Sequence, residues 1–215
     1  MKLSTIVLTR NKSCHVRTLH TLLQLNIMCM KSGIQQEISF CKDDPFEKNA
    51  LILKKIKDSD KLLFLDYAIQ PDQKSIQKLL SKYEGYNCLV LPCVKEGINW
   101  EQFKQKVKNK SNEPVEQLGL EFDTELGQKM SDEIYRVTKT VPKCWAIDSK
   151  SVLRQIKGKK GEGVRLPAKT DEMFEKFKEK GVKVAAYTEA NVLTIFSHEC
   201  LGNILNAAGV SQKTN

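Results

Sequence analysis

The stretch KLLFLDYAIQPD, Lys61–Asp72, decides how the chain is expected to fold. Four consecutive apolar residues run directly into Asp66, and a proline and a second aspartate follow. A short apolar run that ends at polar residues predicts a strand buried on both faces. Asp72 precedes a new helical periodicity, where aspartate is a preferred N-cap. The stretch therefore predicts strand, turn and helix in succession.

The same alternation fills the first half of the chain. Apolar runs predict further strands at 4–9, 35–40 and 86–93. Between the first two, a helix is predicted to close at Gly33, and its inward face is predicted from apolar residues at three- and four-residue steps. Those residues are Val16, Leu19, Leu23, Ile27 and Met30. Strands alternating with helices predict an α/β fold with a mostly parallel central sheet of about six strands, flanked by helices on both faces.

The second half is less regular. The alternation in LGLEFD, 118–123, predicts a strand, and VPKCWAID, 141–148, predicts a strand leading into a short helix. KTDEMFEKFKEKG predicts a helix that ends at Gly181 and is followed by a strand in VKVAAY. Trp100 and Trp145 are candidates for stacking on sugar rings, although core packing is the commoner role for each.

Composition limits the class of protein and its partners. The net charge of +9 favours anionic partners, yet aromatic residues are only 7% and do not alternate with basic ones, which argues against nucleic acid. Seven cysteines without CxxC spacing predict free thiols and a cytoplasmic location. No apolar run approaches the roughly 20 residues that span a bilayer, so no membrane span is expected.

Three segments are predicted to meet at one edge of the sheet, because parallel strands all end at the same edge. Ligands of such sheets bind at this carboxyl edge. They are TRN after the first strand, CKDD after the second and DYA after the third. Carboxylates there would suit Mg²⁺ or Mn²⁺, which commonly bridge the oxygens of a diphosphate. The chain lacks a glycine-rich phosphate loop, which disfavours a P-loop NTPase or a Rossmann dehydrogenase.

The order and spacing of these segments resemble the nucleotide-sugar glycosyltransferases of the GT-A fold over roughly residues 4–200. STIVLTRN resembles their opening strand and turn, ISFCKDD their second strand, and SDKLLFLDYAIQPD their Asp-x-Asp motif, with Ala68 in place of the second aspartate. TIVLTRNKSCHVRTLHTLL also resembles the small glycosyltransferase domains encoded by chlorella viruses. The resemblance implies one GT-A-like domain over 1–208, with a nucleotide-binding half at about 1–95, an acceptor half at about 96–208 and a polar tail at 209–215.

The resemblance also implies roles for single residues in binding the donor. Thr9, Arg10 and Asn11 would lie along the uridine, and Asp43 or Asp44 would accept a hydrogen bond from the uracil imide. The remaining implied donor and metal residues are Asp66 and Tyr67 near the ribose and metal, and His198 as a metal ligand that compensates for Ala68. Separately, the glycine- and lysine-rich stretch GKKGEGVR, 158–165, predicts a mobile loop that could order on donor binding and supply Lys159, Lys160 or Arg165 to the diphosphate, with a solvated surface loop as the alternative.

Asp171 or Glu172 matches the acidic pair that supplies the general base in inverting members. A structural alternative for this pair is capping of the helix by Thr170 and Asp171. For Asp66 the alternative is a strand-end or capping carboxylate, and for His198 it is a structural histidine.

The function implied is metal-assisted hexosyl or deoxyhexosyl transfer from a UDP-sugar to a glycan or glycoprotein acceptor, in capsid glycan synthesis and in the host cytoplasm if the chain is virus-encoded. Mn²⁺ or Mg²⁺ would be the cofactor.

Two alternatives stay open. A sugar-phosphate nucleotidyltransferase normally needs a glycine-rich basic segment after the first strand, and TRNKSCHVRT has no glycine. A nucleotide-binding module without catalysis is the other, because Ala68 replaces an expected carboxylate.

Overall fold

The computed structural model of the protein describes residues 1–157 and 164–195. The strands are β1 Lys2–Thr9, β2 Gln35–Lys42, β3 Lys61–Leu65, β4 Ile69–Pro71, β5 Cys88–Leu91, β6 Thr124–Lys129, β7 Ile134–Thr140, β8 Cys144–Asp148, β9 Val184–Tyr187 and β10 Val192–Thr194. The α-helices are α1 Val16–Lys31, α2 Pro45–Asp58, α3 Gln73–Leu80, α4 Trp100–Lys108, α5 Ser149–Ile156 and α6 Thr170–Glu179.

Eight of these strands form one mixed sheet in the order β2-β1-β3-β8-β5-β9-β7-β6. The predicted mostly parallel sheet of about six strands is wrong. β1 is parallel to β2 and β3, and β5 to β9, but the other four neighbouring pairs are antiparallel. An apolar run specifies that a strand is buried and not which way it runs, so the sequence pattern left the direction of β8 open.

Helices cover both faces of this sheet, as the sequence predicts. One apolar cluster includes residues of α2, α5 and α6, and the other includes residues of α1 and α3. Trp145 lies in the first cluster, where its ring stacks on Phe64 at 5.3 Å and meets the edge of Phe174 at 5.4 Å. Trp145 is therefore a core residue and not a surface for a sugar ring.

The predicted inward face of α1 points outward instead. Val16, Leu19, Leu23, Ile27 and Met30, here called the outer stripe, are between 43% and 74% exposed. The buried face is the one that carries Thr18, Thr21, Leu22, Leu25 and Cys29. Both faces repeat at helical spacing, and the choice between them follows from tertiary contacts, such as the 3.0 Å hydrogen bond from the Thr18 hydroxyl to the Ile69 carbonyl.

Local signals of helix ends are confirmed. The Asp72 carboxylate accepts a 2.8 Å hydrogen bond from the Ser75 amide and caps α3, and Gly33 follows α1 with φ 62°. No helix in the described ranges has the length and apolarity needed to cross a membrane. Six cysteines, all except Cys200, lie in the described chain, and all six are free thiols.

The described chain forms two compact units. One contains Met1–Cys93 and Asp123–Thr194, and the other contains Val94–Phe122 and Ile195. The second unit holds α4 and a small cluster of Phe103, Leu118 and Val115. The predicted strand at 118–123 is wrong, because residues 118–121 form a turn and a loop, and Phe122 makes only an isolated bridge to Val94 before β6 begins at Thr124.

Candidate functional site

The parallel strands β1, β2 and β3 end side by side, with Thr9 beside Lys42 and Val7 beside Leu65. The residues that follow them are brought together at this carboxyl edge. The Arg10 guanidinium lies over the Tyr67 ring at 5.7 Å, and its Nε lies 3.4 Å from Oδ2 of Asp43. The three segments that the sequence places at one edge are therefore neighbours in the fold.

Asp66 follows β3 at the centre of this edge. Its Oδ1 accepts a 2.6 Å hydrogen bond from the Tyr67 amide, while its Oδ2 accepts none from any described residue. Burial raises the pKa of the Asp66 carboxyl, and the Tyr67 amide and the charges of Lys143 and Arg10 oppose that rise only in part. A half-buried carboxylate with one unused oxygen can accept a hydrogen bond from a ligand or bind a cation.

Backbone strain is concentrated at the same edge. Asn11, Lys12 and Ala68 account for three of the four non-glycine residues with positive φ in the described chain, at 51°, 59° and 59°. Asn11 and Lys12 form a tight turn in which Arg10 and Ser13 exchange backbone hydrogen bonds of 2.9 and 3.3 Å. Left-handed backbone at residues other than glycine costs energy and tends to occur at functional sites, so this strain supports the assignment of the edge.

Ala68 occupies the position where the resemblance expects a second carboxylate. Its side chain is 1% exposed, so this position faces the protein interior and not the edge. A carboxylate at position 68 would have to be buried, which is costly without partners. The absence of the second aspartate is therefore consistent with the local packing.

Two residues at the site were missed from the sequence. The Asp123 carboxylate accepts hydrogen bonds from the amides of Cys93 and Lys143, at 3.0 and 3.1 Å, and from the Thr124 hydroxyl at 2.8 Å. Burial raises the pKa of Asp123, and these hydrogen bonds oppose the rise. Asp123 thus joins the end of β5 to the start of β8 and fixes the position of Lys143.

Lys143 is the second missed residue. Its carbonyl accepts the Asp66 amide at 2.8 Å, and its charge lowers the pKa of both Asp66 and Asp123 against their burial. Only the antiparallel direction of β8 brings this lysine to the carboxyl edge. The sequence shows a lysine just before a buried strand, but this pattern does not indicate which edge of the sheet the lysine reaches until the direction of the strand is known.

The structure separates the two candidate aspartates after β2. Asp44 caps α2, because its Oδ1 accepts a 2.7 Å hydrogen bond from the Glu47 amide. Asp43 is partly exposed and faces Arg10. Thr9 donates its hydroxyl to the Cys41 carbonyl at 3.0 Å, which ties β1 to β2 at the edge. Asp43 is therefore the better placed of the two to meet a ligand.

The predicted acidic pair lies at the start of α6. Glu172 pairs with Lys169 at 3.2 Å, and Asp171 lines a small cavity with Lys139 and Thr140 among others. No hydrogen bond or ion pair in the described chain joins either residue to Asp66. The predicted cap by Thr170 or Asp171 is wrong, because Lys169 holds the N-cap position without a side-chain hydrogen bond.

The described geometry does not test two predicted contributors. Arg165 is exposed beside the segment 158–163, and His198 lies outside the described residues. Within residues 1–157 and 164–195, no three His, Cys, Asp or Glu side chains are grouped to hold a metal ion. The described part of the site thus has carboxylates but no grouped set of three ligands, and the prediction that His198 completes a metal site stays a prediction.

The fold and site define an α/β protein with a polar cluster at the carboxyl edge of three parallel strands. Its fold resembles that of A197 from STIV, with a TM-score of 0.57, 14% identity, and coverage of 92% of this chain and 87% of that one. No protein-family model matches the chain, and no curated protein does.

Structural neighbours also include nucleotide-sugar glycosyltransferases. A Drosophila β-1,4-galactosyltransferase 7 with manganese, UDP-Gal and xylobiose has a TM-score of 0.47 at 13% identity, covering 99% of this chain and 82% of that one. GalNAc-T7 with UDP, GalNAc and Mn²⁺ has a TM-score of 0.48 at 11% identity, covering 91% of this chain and 44% of that one. At these scores the two likenesses establish no shared activity.

Proposed function

We propose that the protein is a glycosyltransferase that binds a UDP-sugar at the carboxyl edge of β1, β2 and β3. The observation that carries the proposal is the position of Asp66. It is a half-buried carboxylate with an unused oxygen, and it is surrounded by Arg10, Tyr67 and Lys143. The resemblance of this stretch to the Asp-x-Asp segment of GT-A enzymes supplies the substrate class.

The uridine would occupy the space beside the strained turn after β1. Asp43 is an exposed acceptor suited to the imide N–H of uracil, and Asp66 is suited to a ribose hydroxyl. Exposed ion pairs such as Arg10 with Asp43 contribute little to stability, so breaking this pair to bind a nucleotide costs little free energy. The donor half would thus draw on the first ninety-five residues and also on Lys143.

Charge on the departing UDP is the main barrier that the site has to lower. As the bond between the anomeric carbon and the diphosphate oxygen breaks, negative charge grows on that oxygen. Arg10 and Lys143 are the cations at this edge that would stabilise it. The acceptor hydroxyl forms the new bond to the anomeric carbon and gives up its proton.

For an inverting reaction we favour Asp171 as the base that takes this proton, because it lines a small cavity at the start of α6. Arg165 would reach the diphosphate from the glycine- and lysine-rich stretch that precedes it. The acceptor is proposed to be a glycan or a glycoprotein.

The described residues do not by themselves fit a divalent metal, because no three His, Cys, Asp or Glu side chains are grouped among them. Mn²⁺ or Mg²⁺ would depend on His198, so no step of the mechanism is assigned to a metal. Metal dependence is therefore measured as a separate variable in the test.

Calorimetric titration with UDP, CDP and GDP, each with and without Mn²⁺, tests the proposal. We expect UDP to bind most tightly and Asp66→Asn to weaken it at least about tenfold, because a hydrogen bond to a charged group contributes roughly 1.5–3 kcal/mol. Asp132→Asn is the matched control, since Asp132 is a fully exposed aspartate far along the sheet in the turn between β6 and β7.

Three outcomes decide between the classes. UDP binding together with slow hydrolysis of UDP-sugars supports the transferase. Release of pyrophosphate from UTP or CTP with a sugar phosphate indicates a nucleotidyltransferase instead. If no nucleotide binds with or without Mn²⁺, both assignments fail.

A further inference from the structure

The eight-stranded sheet has two edges, and they differ. β6 forms one edge, and its pairing with β7 is interrupted by two register shifts around Leu126. Such irregularities protect an edge from pairing with other chains. β2 forms the other edge and pairs with β1 without a shift over its whole length, from Gln35 to Lys42. Among the described residues, no strand lies on its outer side.

The first residue of β2 shows which residues of the strand direct their backbone N–H and C=O groups toward β1. The Gln35 amide donates to the Met1 carbonyl at 3.1 Å, so the odd-numbered residues of β2 direct their backbone groups toward β1. Neighbouring residues of a strand direct these groups to opposite sides. The even-numbered residues Gln36, Ile38, Phe40 and Lys42 therefore present their N–H and C=O groups at the open edge.

An apolar surface lies beside this edge. Ile38 packs against the α1-side cluster, and Phe40, two residues further, projects from the same face and is 55% exposed. α3 lies toward β5 and β8, on the opposite side of α1 from β2. Gln24 and Lys31 of α1 line a cavity with residues of α3.

Helical geometry therefore places Leu19, Leu23 and Met30 of the outer stripe on the β2 side of α1. Phe40 and these three exposed side chains, here called the apolar region, therefore lie beside the open edge.

We propose that two copies of this chain associate through antiparallel pairing of β2 with β2 about a two-fold axis at Ser39. Leu19, Leu23 and Met30 of the two α1 helices would pack beside this pairing. This inference does not depend on the proposed enzymatic function.

The register follows from two requirements. Residues opposite each other must share a face, and the even-numbered residues must form the hydrogen-bonded pairs. Centring on Ser39 pairs Ile38 with Phe40 and Gln36 with Lys42, each of them twice because of the symmetry. A register centred on Ile38 forms fewer hydrogen-bonded pairs and sets Phe40 against Gln36.

The pairing is compatible in charge as well as in shape. Centred on Ser39, the register places Glu37 opposite Cys41 and Lys42 opposite Gln36, so no like charges face each other directly. An isologous interface needs such self-complementarity, because the same patch meets itself. The apolar pair of Ile38 and Phe40 lies next to the axis, where burial is greatest.

Sedimentation of the full chain over a range of concentrations measures the association. We expect a species of twice the 24.5 kDa chain mass. Phe40→Asp should raise the dissociation constant at least about 100-fold, because it places a carboxylate in the centre of the interface. Leu23→Glu on α1 is a second exposed substitution with the same expected direction, and circular dichroism verifies that both variants fold.

Cross-linking tests the axis itself. A Ser39→Cys variant should form a disulfide-linked dimer under mild oxidation, because the two Ser39 Cα atoms of the proposed pairing fall within disulfide range. Gln35→Cys is the matched control, since the two copies of residue 35 would lie far from the axis and should not link.

The proposal requires both results, loss of the dimer in Phe40→Asp and a cross-link specific to Ser39→Cys. A chain that is monomeric at about 100 µM overturns it. Binding of such a monomer to anionic vesicles would assign the apolar region to a membrane surface instead.

Discussion

The backbone amide of Asp66 donates to the carbonyl of Lys143 at 2.8 Å. This contact exists because β8 runs antiparallel to β3, so that the start of one strand meets the end of the other. It places a cation beside the central carboxylate of the candidate site. Residues that are distant in sequence therefore share the candidate site, which extends beyond residues 1–95 to Lys143.

Replacing Asp66 by asparagine should raise the stability of the protein without ligand. Burial raises the pKa of Asp66 in the folded state above its unfolded value. Ionisation of this carboxyl therefore lowers the free energy of unfolding as the pH rises through the folded pKa. The asparagine side chain keeps an acceptor for the Tyr67 amide and carries no charge. Urea unfolding at pH 7 should show the gain.

The gain should disappear below about pH 3.8, where the carboxyl of the wild-type protein is protonated in both states. Asp132→Asn serves as the reference, because Asp132 is fully exposed. A loss of stability in Asp66→Asn at pH 7 would contradict this account of the site.

Adjacent aspartates after β2 should respond differently to substitution. Asp44→Ala removes the N-cap of α2 and should cost about 1 kcal/mol of stability while leaving UDP affinity close to wild type. Asp43→Ala should change stability little and weaken UDP binding several-fold. Parallel urea unfolding and UDP titrations separate the two roles. If Asp43→Ala lowers stability and Asp44→Ala weakens UDP binding, the roles of the two aspartates are the opposite of those proposed.

Ala68 should accept glycine more readily than aspartate. Glycine removes the strain of φ 59° and should be neutral or stabilising by up to about 1 kcal/mol, since the loss of a buried methyl group offsets part of the gain. Aspartate would bury a carboxylate and should destabilise by about 2 kcal/mol or more. If Ala68→Asp instead folds normally and gains Mn²⁺-dependent UDP affinity, position 68 faces the site.

Lys61 should make stability depend on pH in the alkaline range. Its ammonium is buried, donates to the carbonyls of Leu79 and Ser81 and lies over the Tyr83 ring at 3.5 Å. Burial lowers the pKa of Lys61 from 10.5 to about 8. The unfolded chain therefore binds more protons between these values, and the contribution of Lys61 to stability rises with pH there.

The measurement for Lys61 compares wild type with Lys61→Met. The free energy of unfolding of the wild type should increase relative to the variant between about pH 8 and pH 10.5, by on the order of 2–3 kcal/mol. A difference that is flat with pH would show that the two carbonyls and the Tyr83 ring keep the ammonium charged.

Much of the local structure was predictable from short stretches of sequence. The strand that ends at Asp66, the cap at Asp72 and the left-handed Gly33 all follow from residues within a few positions of each other. Backbone propensity, capping and apolar periodicity are local interactions, and they act in the same way wherever the segment is placed. The meeting of Arg10, Asp43 and Asp66 needed one further assumption, that β1, β2 and β3 are parallel, and that assumption is confirmed.

The sequence by itself thus determined β1, β2, β3 and β5 with the helices between them, and which polar residues follow the first three strands, but it did not predict β6, β7 or β10. Only the tertiary structure decided the direction of β8, the face of α1 that is buried and the open edge at β2. These features depend on pairing between segments far apart in the chain, whose hydrogen bonds and packing have no counterpart in local periodicity. For the same reason Lys143 and Asp123 joined the site only in the folded chain, although both residues were visible in the sequence.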